Sequence, residues 1–128
     1  MAQHILIIND DQDILELYRM LLEDEGYTVH LSKFVFEHPT DVARLDPALV
    51  VLDLKFQEQM HGWMMLQKLR MYRPTSDIPL IVCTAAVREA QEQEAYLLTQ
   101  HVPVVYKPFN IDRFLSVVRD SLCVPATD

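Results

Sequence analysis

Glycine is nearly missing from this chain: of 128 residues only Gly26 and Gly62 are glycine. That excludes a Gly-rich loop cradling phosphates on backbone N–H groups. Cysteine is as scarce, with Cys83 and Cys123 alone and no CxxC pair, so free thiols in a reducing cytoplasm are expected. Four residues without a glycine separate Cys83 from Arg88, which removes a cysteine phosphatase loop. No apolar stretch approaches the length of a membrane span. The four apolar residues Ile5 to Ile8 are too short for a signal peptide's core. Basic residues are outnumbered, 11 Lys and Arg against 19 Asp and Glu, for a net charge of −8. Nucleic-acid binding by this segment is therefore not expected, and neither is membrane contact. The five histidines, at 4, 30, 38, 61 and 101, show no metal-ligand spacing. The expectation is a cytoplasmic protein.

What is present is ordinary for one domain: 50% hydrophobic and 23% charged residues, in a chain long enough to bury a core without staples. The stretch Leu49-Val50-Val51-Leu52-Asp53-Leu54 organises the rest. Its continuous apolar run reads as a strand buried on both faces. Its acid falls at the C-terminal edge, where open α/β sheets place their chemistry.

Four further strands are predicted, at 4–8, 27–31, 79–84 and 102–106, with Pro103 suited to an edge position. Helical spacing follows Asp11 (Ile14, Leu17, Tyr18, Leu21, Leu22), with Gly26 as its C-cap. A short helix opens at Pro39 and ends at Asp46-Pro47. Residues 34–36 read equally as helix or extended edge. A third helix follows Gly62 and stops before Pro74, a fourth runs from Val87 to about Gln100, and Asn110 caps a fifth. Strands alternating with helices through short connections predict a doubly wound, flavodoxin-like α/β fold. Its five-stranded parallel sheet has order 2-1-3-4-5, with five helices. One domain is expected over residues 1–123, with 124–128 a tail or the start of a linker.

The strand ends share polar residues. Strand 1 ends in Asn9-Asp10-Asp11, strand 3 in Asp53, strand 4 in Thr84 and strand 5 in Lys107, and the topology opens all four on one rim. Asp10 and Asp53 offer two carboxylates, and the Lys55 carbonyl a third oxygen, to a hard cation such as Mg²⁺. An aspartate is also a competent nucleophile toward phosphorus. Lys107 would neutralise the transferred group. Each residue alone has an ordinary explanation: an N-cap, a β former, a helix start. Four of them at four strand ends do not.

The chain resembles the receiver domain of bacterial two-component response regulators. The resemblance runs from Ile5 to Leu122. It rests on Ile5-Leu6-Ile7-Ile8-Asn9-Asp10-Asp11-Gln12-Asp13-Ile14, Val50-Val51-Leu52-Asp53, Leu80-Ile81-Val82-Cys83-Thr84-Ala85 and Lys107-Pro108-Phe109. It implies Asp53 as phosphoacceptor, Asp10 as a direct Mg²⁺ ligand, Thr84 hydrogen-bonded to the phosphoryl group and Lys107 paired with it. The implied donor is a phosphohistidine on a sensor histidine kinase or phosphotransfer protein. The implied output is a face of helix 4, strand 5 and helix 5, offered to an effector or a second copy. No effector domain follows within these residues, so a stand-alone receiver or part of a longer chain is expected.

Four positions depart from the family pattern. Asn9 stands where the first of two acids is usual; it can hold a metal-bound water but lacks a charge. Gln57 stands near a usual proline, and Gly62 comes nine residues after Asp53 instead of eight. Lys55 lies two residues after Asp53, beside where the phosphoryl group would sit. Val104 holds the place of the switch aromatic, with Tyr106 two residues on and on the same face of the strand. Counting Asn9 and Lys55, two acids face two lysines. Removing one charge at about 4–6 Å changes an interaction by roughly 1–4 kcal/mol, so weaker Mg²⁺ binding than in a typical receiver is expected. The competing reading is a pseudo-receiver, a binding module working without phosphate. An aspartate-nucleophile phosphatase is rejected, because Lys55 sits where a second acid is needed for leaving-group protonation. His61 is read as a loop residue near the site.

Overall fold

The structure is a computed structural model and describes residues 3–56, 59–107 and 110–123. Gln57, which stands near the family's usual proline, Pro108-Phe109 and the 124–128 tail lie outside the described residues. The elements run β1 (His4–Ile8), α1 (Gln12–Asp24), β2 (Thr28–Ser32), α2 (Pro39–Leu45), β3 (Leu49–Leu52), α3 (His61–Met71), a 3-10 turn (Arg73–Thr75), β4 (Leu80–Thr84), α4 (Val87–Glu92), α5 (Glu94–Thr99), β5 (Val104–Tyr106) and α6 (Ile111–Cys123). All strand pairs are parallel, in the order β2-β1-β3-β4-β5. The predicted fold and strand order are those observed.

Alternation along the central strands divides the apolar residues between two cores. Leu6, Ile8, Val50, Leu52, Leu80 and Val82 face α2, α3, α4 and α5 through Val42, Leu66, Leu69, Ala90 and Leu97. Ile5, Ile7, Leu49, Val51, Ile81 and Cys83 face α1 and α6 through Leu15, Tyr18, Leu22, Phe114 and Val118. The Tyr18 and Phe114 rings stack at 4.9 Å between those two helices. A strand buried on both faces needs apolar residues at every position, which is why β3 reads as an unbroken run. Among the described residues no helix is long and apolar enough to cross a membrane.

Local signals decide most ends. Asp11 caps α1, accepting from Asp13 N and Ile14 N. Gly26, at φ 94, follows the helix in a conformation that side chains with a Cβ rarely adopt. Pro39 opens α2, and Asp46 ends it in the left-handed region. Residues 34–36 join no helix or strand. Pro103 comes just before the edge strand, and its carbonyl accepts from Val82 N at 3.0 Å.

The expected single helix over 87–100 is instead two, so the described residues form six α-helices where five were predicted. A turn at Gln93 divides it. Gln91-Glu92-Gln93-Glu94 offers no apolar side chain to hold that turn on the sheet. Glu89 and Glu92 also repel across one helical turn. The predicted helix 5 is therefore α6. On α1, Leu15 is buried and Leu17 is exposed, so the apolar stripe is rotated slightly from its reading.

Arg70 ties the lower part of this layer together. Its guanidinium donates to the carbonyls of Ser76 (3.2 Å), Ile78 (2.8 Å) and Gln100 (3.3 Å). Burial lowers its pKa, the cost of withdrawing a cation that no solvent replaces. Replacing Arg70 by Met should lower unfolding free energy by about 2–3 kcal/mol, because half-buried carbonyls lose a charged donor. Urea denaturation should show a lower midpoint with unchanged slope.

Candidate functional site

β3 delivers Asp53 to the C-terminal edge of the sheet, where its backbone N still donates to Ile8 O at 3.3 Å. Its carboxylate has two partners from different loops. Lys107 Nζ donates to Oδ2 at 3.0 Å, and the two side chains are only 17% and 12% exposed. Lys55 N donates to Oδ1 at 3.3 Å. Lys107 is positioned by its own backbone, whose N donates to Thr84 O at 2.9 Å at the end of the β4–β5 pairing. The rim thus brings Asp53 and Lys107 into direct contact and places Thr84 on the strand between them.

Thr84 is fully buried, and its Oγ1 accepts from Ala86 N at 3.0 Å. The hydroxyl therefore holds the start of the β4–α4 turn. Asn9 is buried too. Its backbone N donates to Ser32 O, and its Oδ1 accepts from Asp11 N at 2.9 Å. One acceptor site on Asn9 is thus engaged in shaping the loop that carries Asp10. Asp10 opens onto a cleft of about 510 Å³ lined also by Lys33, Phe34, Val35, Phe56 and His61. His61, read as a loop residue, is the first residue of α3.

In the loop after Asp53, Phe56 and Gln59 form an antiparallel bridge. Phe56 N donates to Gln59 O at 2.8 Å, and Gln59 N donates back to Phe56 O at 3.0 Å. Leu54 and Phe56 are buried, so this loop is packed down rather than splayed. It is also closed from below, where Trp63 N donates to Leu54 O at 3.1 Å. Such an approach needs a residue without a side chain. A Cβ on Gly62 would fall on the Asp53 carbonyl oxygen and crowd the carbonyl carbons of Asp53 and Leu54.

Two contributors escaped the sequence reading. Gly62 was noted for its spacing alone, yet an isolated glycine just after a strand-end acid signals close backbone approach. The other is Glu89, whose Oε2 lies 2.5 Å from Lys55 Nζ with both side chains just over a quarter exposed. The hydrogen bond from Lys55 holds the Glu89 carboxyl below the usual carboxylate range. Nothing in the sequence distinguishes Glu89 from Glu92 or Glu94 as the partner. Its presence offsets the charge of Lys55, while Lys33 adds a cation to the cleft on the Asp10 side. Behind Asp53, burial pushes the Cys83 thiol up to about 12 and raises the Tyr18 phenol as well. Both groups are neutral near pH 7.

The donors that the sequence nominated at the rim are all oxygen: two carboxylates, the Lys55 carbonyl and the Asn9 amide. No group of three or more His, Cys, Asp or Glu side chains converges among the described residues. That set suits a hard cation that keeps several waters, such as Mg²⁺, and not a closed transition-metal site.

The model for the response regulator receiver domain matches residues 5–119 of this sequence. The chain belongs to the response regulator receiver family. Among its relatives is the DNA-binding dual master transcriptional regulator RpaA of Synechocystis, 31% identical over 90% of this chain and 47% of the regulator. The chain thus spans about half the length of that relative. An uncharacterized 14.6 kDa protein of Leptolyngbya boryana is 34% identical over 71% of this chain and 69% of its own length. The receiver domain of a Pseudomonas aeruginosa sensor histidine kinase, solved with magnesium in its active-site cleft, superposes with TM-score 0.80. It is 18% identical and covers 97% of this chain and all of that one, a likeness of fold. Phosphoaspartate and Mg²⁺ are typical of the receiver family; in this chain Asp53 and Lys107 are in contact, Thr84 ends the strand between them and Asp10 follows β1.

Gly62→Ala should destabilise the receiver by about 1–3 kcal/mol or more, the range for overpacking, since backbone atoms of Asp53 and Leu54 would have to shift. Met64→Ala, two residues on and exposed, should change stability by less than about 0.5 kcal/mol. Urea unfolding of the two variants checks the contrast.

Proposed function

We propose that Asp53 accepts a phosphoryl group and that the domain works as a switch in two-component or phosphorelay signalling. The observation that carries this is the Lys107–Asp53 contact at 3.0 Å on a rim that also holds Asp10 and Thr84. One Asp53 oxygen attacks phosphorus of a phosphohistidine. The O–P bond forms, the P–N bond breaks, and the donor imidazole leaves with its electron pair and takes up a proton. Lys107, already beside Oδ2, stays paired with the added charge. Thr84 turns its hydroxyl from Ala86 N toward the phosphoryl oxygens.

Asp10, Asp53, the Lys55 carbonyl and a water held by Asn9 would bind Mg²⁺, which supplies charge neutralisation on the transferred group. The reaction is self-catalysed transfer and hydrolysis on Asp53 alone. A cytoplasmic sensor histidine kinase or phosphotransfer protein is the proposed donor. The proposed output surface is α4, α5, β5 and α6, where Val87, Leu98, Tyr106 and Ile111 are exposed apolar residues. Tyr106 also lies opposite Thr84 in the β4–β5 register, which suits it to follow changes at that residue. Nucleic acid and membrane are not partners of this segment.

Incubation with Mg²⁺ and acetyl phosphate should add one phosphoryl group by intact mass in wild type and none in Asp53→Asn. An unchanged wild-type mass would favour the pseudo-receiver. A second expectation concerns the metal. Asn9→Asp restores an acid beside Asp10 and should tighten Mg²⁺ binding by roughly five-fold or more, the lower end of one added charge at about 4–6 Å. Titration followed by emission of Trp63, the only tryptophan, measures it. Equal affinities would remove the charge explanation.

A further inference from the structure

α4 is lightly attached. Its six residues bury only Ala90, the smallest apolar side chain, and no side chain caps its N-terminus. Burial of one methyl group contributes little, and a segment with so few buried contacts opens easily. Polar links hold it to the rim, among them the Ala86 N to Thr84 Oγ1 hydrogen bond and the Lys55–Glu89 ion pair. At its other end Gln93 separates it from α5, whose C-terminal Gln100 carbonyl is held by Arg70. The layer is therefore fixed below Gln93 and pinned above it by contacts to the two loops around Asp53.

Lys55 occupies a particular place in this arrangement. Its backbone N already lies on Asp53 Oδ1, so its flexible stem starts beside the carboxylate while its ammonium reaches Glu89. Phosphorylation of Asp53 replaces one negative charge by about two, close to the base of that stem. The ammonium then has a second, denser anion within its swing. We propose that Lys55 and Glu89 form a charge-operated latch, in which a phosphoryl group on Asp53 competes with Glu89 for Lys55 and releases α4. This rests on Asp53 being the phosphoacceptor. It gives the domain a route from site to surface that needs no swinging aromatic, which matters where Val104 holds the switch position. Glu89 is a positioning residue here: it touches neither Asp53 nor the transferred group.

The test uses the whole chain, wild type and Glu89→Gln, with and without Mg²⁺ and beryllofluoride. Amide exchange is read over residues 87–92 and, as an internal reference, over 94–99. Unloaded Glu89→Gln should exchange over 87–92 roughly two- to five-fold faster than unloaded wild type, the range of an exposed ion pair. Loading should raise wild type to that level and leave Glu89→Gln unchanged, with 94–99 steady throughout. Equal exchange in the two unloaded proteins would overturn the latch, as would an equal rise in both on loading. Intact mass after acetyl phosphate separates this from the premise. A phosphoryl adduct without the exchange pattern refutes the latch alone. No adduct on wild type removes the phosphoacceptor reading and the latch with it.

Discussion

Asp53 and Lys107 meet at the mouth of the sheet with most of both side chains withdrawn from water. Such a pair is retained only where geometry and further hydrogen bonds offset desolvation of the two charges. Much of the rim is arranged to meet that requirement. The β4–β5 pairing continues to Lys107 N, which sets where its ammonium can reach. The Lys55 N–H supplies the other carboxylate oxygen with a donor. Gly62 brings the head of α3 against the Asp53 and Leu54 backbone, which helps to fix where the carboxylate starts. Shift any of these and the charges separate in a partly dry environment.

Architecture was legible because its signals are local or periodic. Runs such as Ile5–Ile8 and Leu49–Leu52 can only be strands covered on both sides. Asp11 and Pro39 open helices and Gly26 and Asp46 close them, each through a preference local to one turn of chain. The rim was legible for a related reason: parallel topology places all strand C-termini together, so a polar residue ending each apolar run must lie near the others. Asp53 and Lys107 are 54 positions apart and in contact.

What escaped depends on three-dimensional partners. The break at Gln93 reflects missing apolar anchors over four residues, not a breaker residue, so pattern alone runs through it. Glu89 is one of several acids on a polar stretch, and only the path of Lys55 selects it. Gly62 offered its spacing but not its reason, which lies in the Asp53 carbonyl oxygen. Asn9 is a different case. It reads as an acid lost from a metal site, yet its amide oxygen also holds the Asp11 N–H, a task a carboxylate there would share.

The three carbonyls on Arg70 carry a mechanical consequence. Two come from the segment between α3 and β4, and the third from the end of α5, so one planar cation rivets separate stretches of chain into a pedestal. Above the pedestal, α4 buries a single methyl group and is linked to the rim by polar contacts. The turn at Gln93 separates the two parts, and the guanidinium grips only the far end of α5. Sequence drift should therefore be tolerated very differently on the two sides of that residue: freely on the outer face of α4, and hardly at all among the groups that meet the guanidinium.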